Sequence, residues 1–294
     1  MKTYKDLKED GGSKIIEQVQ AQAERVAHRL ASVGRKVAVM SGKGGVGKSS
    51  VTVNLAAALA LQNVRVGILD ADLNGPSIAR MTGVRSHDVT SGKAVMCPGE
   101  SSLGIKVMSM DFFLARDDTP VTWDSPLPQQ DAFTYQGFIE TSTLRDLVSE
   151  TEWGELDFLF FDLPPGAERL PNIEGALSGL DGTIVVTIPS EISQLSVKKS
   201  IAVVQKYLRT PIIGLVENMC GYVCPDCGTT QPLFPPGNGE QLAASYGIPY
   251  LGGIPFDPRW AECADAGVCY VHQYGDSPAG QAVKNIANRL INGL

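Results

Sequence analysis

No run of about 18 apolar residues occurs in this 294-residue chain, so the sequence encodes no helix of membrane-spanning length. Positive charge is in deficit: 25 lysines and arginines face 32 aspartates and glutamates, for a formal net charge of −7. Neither a basic face for a nucleic-acid backbone nor a membrane partner is expected. Histidine is scarce, and His28, His87 and His272 stand at no metal-ligand spacing and are expected on the surface. Six cysteines are too few for a disulfide scaffold in a chain of this size. The opening stretch MKTYKDLKEDGGSKIIEQ has no apolar segment of the secretory type, and a cytoplasmic location is expected. In a reducing compartment, closely spaced thiols read as metal or redox ligands.

What is present is a core. Hydrophobic residues make up 43% of the chain, enough for a substantial interior. Over residues 13–33, Ile15, Ile16, Val19, Ala23, Val26, Ala27 and Leu30 recur close to every 3.6 positions, which predicts an amphipathic helix. The expected organisation is an N-terminal helical extension over 1–34 and one domain over 35–294. Seven short apolar runs follow: KVAVMSG (36–42), VRVGILDAD (64–72), GIKVMSM (104–110), DFLFFDLPP (157–165), GTIVVTIPS (182–190), PIIGLVENM (211–219) and YLGGIPFDP (250–258). Helical patterns separate many of them, in KSSVTVNLAAALALQ and around 135–149, 193–207, 239–246 and 278–292. That alternation predicts an α/β fold, a mostly parallel twisted sheet of about seven strands with helices on both faces. Residues 84–134 read as a largely irregular insertion with a hairpin around KAVMCPG.

Gly42, Gly47, Lys48 and Ser49 satisfy G-x-x-x-x-G-K-S/T, with a strand before and a helix after. Glycines let backbone N–H groups curl around phosphate oxygens where a side chain would collide. The following helix presents its N-terminus to the same negative charge. In this reading of the P-loop NTPase signature, Lys48 reaches the β- and γ-phosphates of ATP and Ser49 ligates Mg²⁺. Gly44, Gly45, Val46 and Ser50 complete the nucleotide-binding stretch SGKGGVGKSS. Asp70, Asp72 and Asp162 end apolar runs beside the expected phosphates, although strand-end aspartates also serve as caps and turn residues.

The stretch ENMCGYVCPDCG places Cys220, Cys224 and Cys227 within eight positions. Cys224 and Cys227 are spaced C-x-x-C around Pro225, and Gly228 favours the tight turn that lets two thiols grip one metal. A structural zinc needs four ligands and an iron–sulfur cluster usually takes four thiolates, so the pair is half a site. Other ligands from the same chain, or the same pair from a second copy, would complete it. Cys220 is expected to be a buried thiol or a further ligand, and its spacing also matches the radical-SAM cluster motif. Cys97, Cys263 and Cys269 are scattered and read as small apolar filler.

The loop GKGGVGKS, with Lys43 near its start, resembles the deviant Walker A loop of the MinD/ParA/nitrogenase-iron-protein class. That resemblance implies an ATP-dependent homodimer in which Lys43 reaches the partner's nucleotide. It further implies that Asp72 positions or activates water, that Asp70 lies near Mg²⁺, and that Asp162 holds Mg²⁺ through water. From about residue 36 to 290 the chain resembles the Mrp/ApbC family of P-loop iron–sulfur cluster carriers, through SGKGGVGKSS, LDADLNGPSI, WGELDFLFFDLPPG, PIIGLVENM, CPDCG and IPFDP. The resemblance implies a [4Fe–4S] cluster bridged between two subunits by Cys224 and Cys227, slow ATP hydrolysis, and transfer to apo iron–sulfur proteins alongside cluster-assembly machinery. By the same resemblance Asn218 contacts adenine and Pro255 lies on the loop covering the base.

Two segments depart from the family pattern. Where D-x-P-P-G-T-G-D is usual, the chain reads DLPPGAERL, with Ala167, Glu168 and Arg169 replacing the end; Trp123, Asp124, Ser125 and Pro126 stand where W-R-G-P is common. Two alternative functions share the Walker loop. A ParA/MinD-type positioning ATPase calls for a basic face or tail, and a zinc-stapled ATP-binding dimer satisfies the same thiol spacing. A reductase like the nitrogenase iron protein would need a cysteine in FDLPPGAERL, which has none.

Overall fold

The computed structural model describes residues 15–91, 95–114, 116, 119, 121, 129–166, 173, 177, 179–208, 210–224, 227–234 and 239–293. The segments containing Trp123–Pro126 and Ala167–Arg169 lie outside the described residues, as do Pro225 and Asp226.

Valine-, isoleucine- and phenylalanine-rich runs form strands because β-branched and aromatic side chains suit a pleated surface covered on both faces. In chain order the first half comprises α1 (Ile15–Arg29), β1 (Val33–Ser41), α2 (Lys48–Ala60), β2 (Val66–Asp70) and α3 (Ile78–Thr82). Next come β3 (Thr90–Ser91), β4 (Met96–Cys97), β5 (Gly99–Glu100), β6 (Lys106–Met108), α4 (Gln129–Glu150) and β7 (Leu156–Asp162). The second half comprises β8 (Gly182–Thr187), α5 (Glu191–Val203), β9 (Ile212–Val223), β10 (Thr230–Gln231), α6 (Gly239–Ser245) and β11 (Tyr250–Phe256). The chain closes with α7 (Arg259–Ala266), α8 (Tyr270–Gln273) and α9 (Pro278–Asn292).

One sheet runs β10-β9-β8-β1-β7-β2-β6-β5, with β11 also paired to β9. Its parallel part contains the seven expected strands, β1, β2, β6, β7, β8, β9 and β11. Short β5 and β10 add antiparallel pieces at the ends. The hairpin expected around KAVMCPG is the β3–β4 pair.

The two faces follow the period of two along each strand. On β1, Val37 and Val39 join a cluster with Leu55 and Leu59 of α2 and Val283, Ile286 and Leu290 of α9. Ala38 and Met40 point the other way, toward Val26 and Leu30, Leu144 and Val148 of α4, and Val197 and Ile201 of α5. The helix carrying Val26 thus joins this cluster by packing along α4, with Gln22 Nε2 donating to Asp146 Oδ1 at 2.8 Å.

Three boundaries differ from the sequence expectation. The first helix ends at Arg29 and β1 begins at Val33, because Val33 pairs with Leu156 of β7. Helix α4 begins at Gln129, inside the stretch expected to be irregular. Strand β9 continues past Met219 to Val223, since β11 pairs with it as far as Tyr222 and β10 as far as Val223. Its extra length carries a bulge: Ile254 pairs with Asn218 but Phe256 with Tyr222, and Met219 has a positive φ of 55°.

Helix α9 fastens β11 and α2 through one apolar stripe, so truncating that stripe tests the packing. Ile286→Ala is expected to lower unfolding free energy by about 2–5 kcal/mol. Exposed Asn285→Ala should change it by less than about 0.5 kcal/mol. Urea denaturation of both variants reads the difference.

Candidate functional site

Between Ser41 and Lys48 the chain turns from β1 into α2 around the glycines. Gly45 and Gly47 have φ of 78° and 80°, a region glycine enters without steric cost. A Cβ on Gly42 would meet the Ser196 carbonyl carbon of α5 at 2.7 Å, and one on Gly47 the Asn218 Nδ2 at 2.4 Å. The loop is therefore pressed between α5 and β9 and needs glycine at both ends. Gly44 and Gly45 are exposed, Lys43 is half-buried, and Ser41 Oγ donates to Lys43 O at 2.9 Å. Val46 turns inward and is 2% exposed. Helix α2 has no side-chain cap at its N-terminus, so its first amides point toward the loop's concave side unspent by any capping oxygen. Ser50, half-buried, is in its first turn and accepts from Asn54 Nδ2 at 2.9 Å.

At the end of β7, Asp162 is fully buried. Lys48 Nζ forms an ion pair with its Oδ2, to which Ser49 Oγ also donates at 2.6 Å. Thr52 Oγ1 donates to the other oxygen, Oδ1, at 2.6 Å. Thr52 is missing from the sequence reading, yet it lies four residues after Lys48, one helical turn along the same face. These side chains gather one carboxylate, two hydroxyls and one ammonium beside open backbone amides. That donor set suits an Mg²⁺–phosphate pair, with hard oxygen ligands for the cation and N–H and Nζ donors for the anion.

Asp70 is opposite Asp162 in the β2–β7 register and is 1% exposed. Burial first, and the neighbouring Asp162 charge second, push its pKa up to about 7, against the backbone bonds that favour the ionised form. Its oxygens accept from Ser77 N (2.8 Å), Ile78 N (3.0 Å), Ser109 Oγ (3.3 Å) and Asp72 N (3.3 Å). Asp70 thereby shapes the turn that carries Asp72, which is half-buried with its carbonyl accepting from Gly75 N at 3.1 Å. Asn218 is 3% exposed and its Nδ2 donates to Val46 O at 2.9 Å, so this amide supports the glycine loop from beneath. Leu163 N and Gly166 N, donating to Val39 O and Ser41 O, hold the segment after Asp162 against β1.

The cysteine pair is at the tip of the β9–β10 hairpin. Cys224 N donates to Thr229 O at 3.0 Å and Gly228 N to Cys224 O at 2.9 Å, with Gly228 at φ 70° closing the turn. Cys224 is half-buried and Cys227 exposed. Thr229, through its hydroxyl and then its N–H, and Cys224 after it, hold the Cys227 thiol below its ordinary pKa.

Cys220 does not join them. It lies within the strand against Gly253 and Tyr250, and burial, then Glu217, pushes its pKa up to about 11. The radical-SAM arrangement needs three thiols around one cluster, and Cys220, Cys224 and Cys227 do not converge in that way. Among the described residues no three His, Cys, Asp or Glu side chains converge on a metal position.

Pro255, on β11, lines a cleft that also includes Cys224. Cys263 and Cys269 are buried filler, but Cys97 is exposed on β4, the position after Met96, which packs against the core. His28, His87 and His272 are exposed.

Thr52→Val leaves one oxygen of a dry carboxylate without its donor. The expected cost is about 1.5–3 kcal/mol of stability, with Thr52→Ser near wild type; chemical denaturation of the two variants checks this.

The ParA family model, described as NUBPL iron-transfer P-loop NTPase, matches residues 32–291. The iron–sulfur cluster carrier protein of Saccharolobus solfataricus is 41% identical over 279 residues, covering 95% of this chain and 90% of the relative. That of Methanocaldococcus jannaschii is 41% identical over 272 residues, covering 92% and 88%. Among solved structures, a nucleotide-binding protein from Archaeoglobus fulgidus in complex with ADP is 35% identical with TM-score 0.69, covering 83% of this chain and 90% of that one. The septum site-determining protein MinD of Pyrococcus horikoshii, at 20% identity and TM-score 0.59, covering 87% and 95%, shares the fold. With the glycine loop, the buried Asp162 and a family match over nearly the whole sheet, the chain belongs to the ParA-type, NUBPL-like iron-transfer P-loop NTPases.

Proposed function

We propose that this protein is an ATP-binding iron–sulfur cluster carrier that holds a [4Fe–4S] cluster between two copies of itself and passes it to apo iron–sulfur proteins. The observation that carries the reading is the hairpin of Cys224 and Cys227, two thiols gathered at a tip with no third ligand beside them among the described residues. A cluster usually takes four thiolates, and a second copy supplies the missing two. A site at a hairpin tip and on a subunit boundary is also open to an acceptor protein, as a carrier requires.

In the nucleotide site, Lys48 releases Asp162 and turns to the β- and γ-phosphates as ATP enters. Ser49 and Asp162 would hold Mg²⁺, directly or through water, and the ion would supply charge neutralisation to the phosphates. Asp72, on the turn organised by Asp70, orients the attacking water. Because the carboxylate of Asp70 is already committed to the donors of its own loop, its part is to place Asp72. Lys43 from the partner copy stabilises charge on the transferring phosphoryl group, as an arginine finger does. Hydrolysis is slow, and nucleotide binding across the interface changes the separation of the two hairpins, loading or releasing the cluster.

Anaerobic reconstitution with iron and sulfide, beside a zinc titration, tests this reading. About four iron and four sulfide per dimer are expected. Cys224→Ala/Cys227→Ala should abolish loading, while Cys220→Ala should retain it. One zinc per dimer and no cluster would replace the carrier with a zinc-stapled ATP-binding dimer; no metal at all would favour a positioning ATPase.

A further inference from the structure

Asp72 opens a β-turn. Gly75 N donates to Asp72 O at 3.1 Å, which makes Leu73 and Asn74 the central residues. The Asp72 carboxylate lies back over that turn, with both oxygens 3.9 Å from the position a Cβ on Gly75 would take. Whatever fixes the turn therefore aims the carboxylate.

The turn is held from several sides. From within, Asp70 accepts from Asp72 N, Ser77 N and Ile78 N. From beneath, Leu73 is 4% exposed and joins the apolar cluster that includes Leu144 of α4. From outside, exposed Asn74 donates its Nδ2 hydrogen to Oε1 of half-buried Glu140 at 3.0 Å. Glu140 and Leu144 are one helical turn apart, so a single face of α4 serves both central residues of the turn. Pro164, just beyond Asp162, lines the same small hollow as Leu73, Asn74, Glu140 and Leu144. Helix α4 thus underlies the Asp72 turn and the segment leaving Asp162 together.

We infer that Glu140 is a positioning residue for ATP hydrolysis: through Asn74 it holds the turn that aims Asp72 at the attacking water. Its carboxylate serves as a hydrogen-bond acceptor and not as a base. This role rests on the one proposed for Asp72 and adds a residue that no sequence motif marks. Slack in a group that must orient water lowers turnover, while the phosphate contacts of the glycine loop stay as they are.

The test is single-turnover release of phosphate from MgATP by the full-length chain, with calorimetric binding of Mg-ADP beside it. Glu140→Ala should lower the hydrolysis rate constant about tenfold or more and leave ADP affinity within about twofold of wild type. Glu140→Gln keeps an acceptor oxygen for Asn74 and should retain most of the wild-type rate. Asn74→Ala should match Glu140→Ala, and the double variant should fall no further, because both changes remove the same hydrogen bond. Glu140→Ala at full rate, Glu140→Gln as slow as Glu140→Ala, or an additive double variant each overturns the positioning role. Loss of ADP affinity in Glu140→Ala overturns it too, since the contact would then support the whole nucleotide site. A wild type that binds ADP but releases no phosphate overturns this role together with that of Asp72, and cluster loading then decides the carrier reading separately.

Discussion

A single buried charge organises the nucleotide half of this molecule. Asp162 is removed from water at the end of a central strand, where an unpaired carboxylate would be costly. Lys48, Ser49 and Thr52 answer that charge from the first turn of α2, with Lys48 and Thr52 on one face. Their convergence requires β1 and β7 to lie side by side and α2 to leave β1 through a loop tight enough to admit only glycine at its ends. The arrangement is self-sufficient without ligand, yet each donor is also one that phosphate or Mg²⁺ can engage. A buried pair of this kind is weak support for stability and better understood as a poised site.

Strand β9 ties that site to the thiols. One end of the contact is Asn218 beneath Val46; the other is Cys224, at the start of the turn that gathers the two sulfurs. Between them the bulge at Met219 changes the register against β11 and re-aims the strand's last residues. Glu217, 6% exposed, accepts from Gly239 N and fixes the start of α6, where the chain returns from the hairpin. Motion at the glycine loop thus has a short, packed route to the cysteines.

Much of this was legible in the sequence because parallel strands buried on both faces read as continuous apolar runs. All seven were found where GTIVVTIPS and its counterparts stand. The end of β9 was not legible, since MCGYV lacks a strong strand pattern and owes its extension to pairing with β10 and β11. Thr52 was detectable from helical spacing alone but needed Asp162 in view to give it a purpose. Asp70 shows the opposite limit. Its strand-end position was readable, whereas the backbone amides it gathers from residues 72–78 depend on the loop's path. Cys97 failed for a similar reason: a lone thiol reads as filler until the strand's alternation is known, and here Met96 faces the core and Cys97 the solvent.

The central claim is that nucleotide and cluster sites work as one device. Its most direct test is the rate at which a chelator removes iron from the cluster-loaded protein, before and after addition of MgATP. The account predicts a rate change of about fivefold or more in the wild type and none in Lys48→Met, which loses the phosphate contact. Equal rates in the wild type with and without MgATP, with nucleotide binding verified in the same sample, would contradict it.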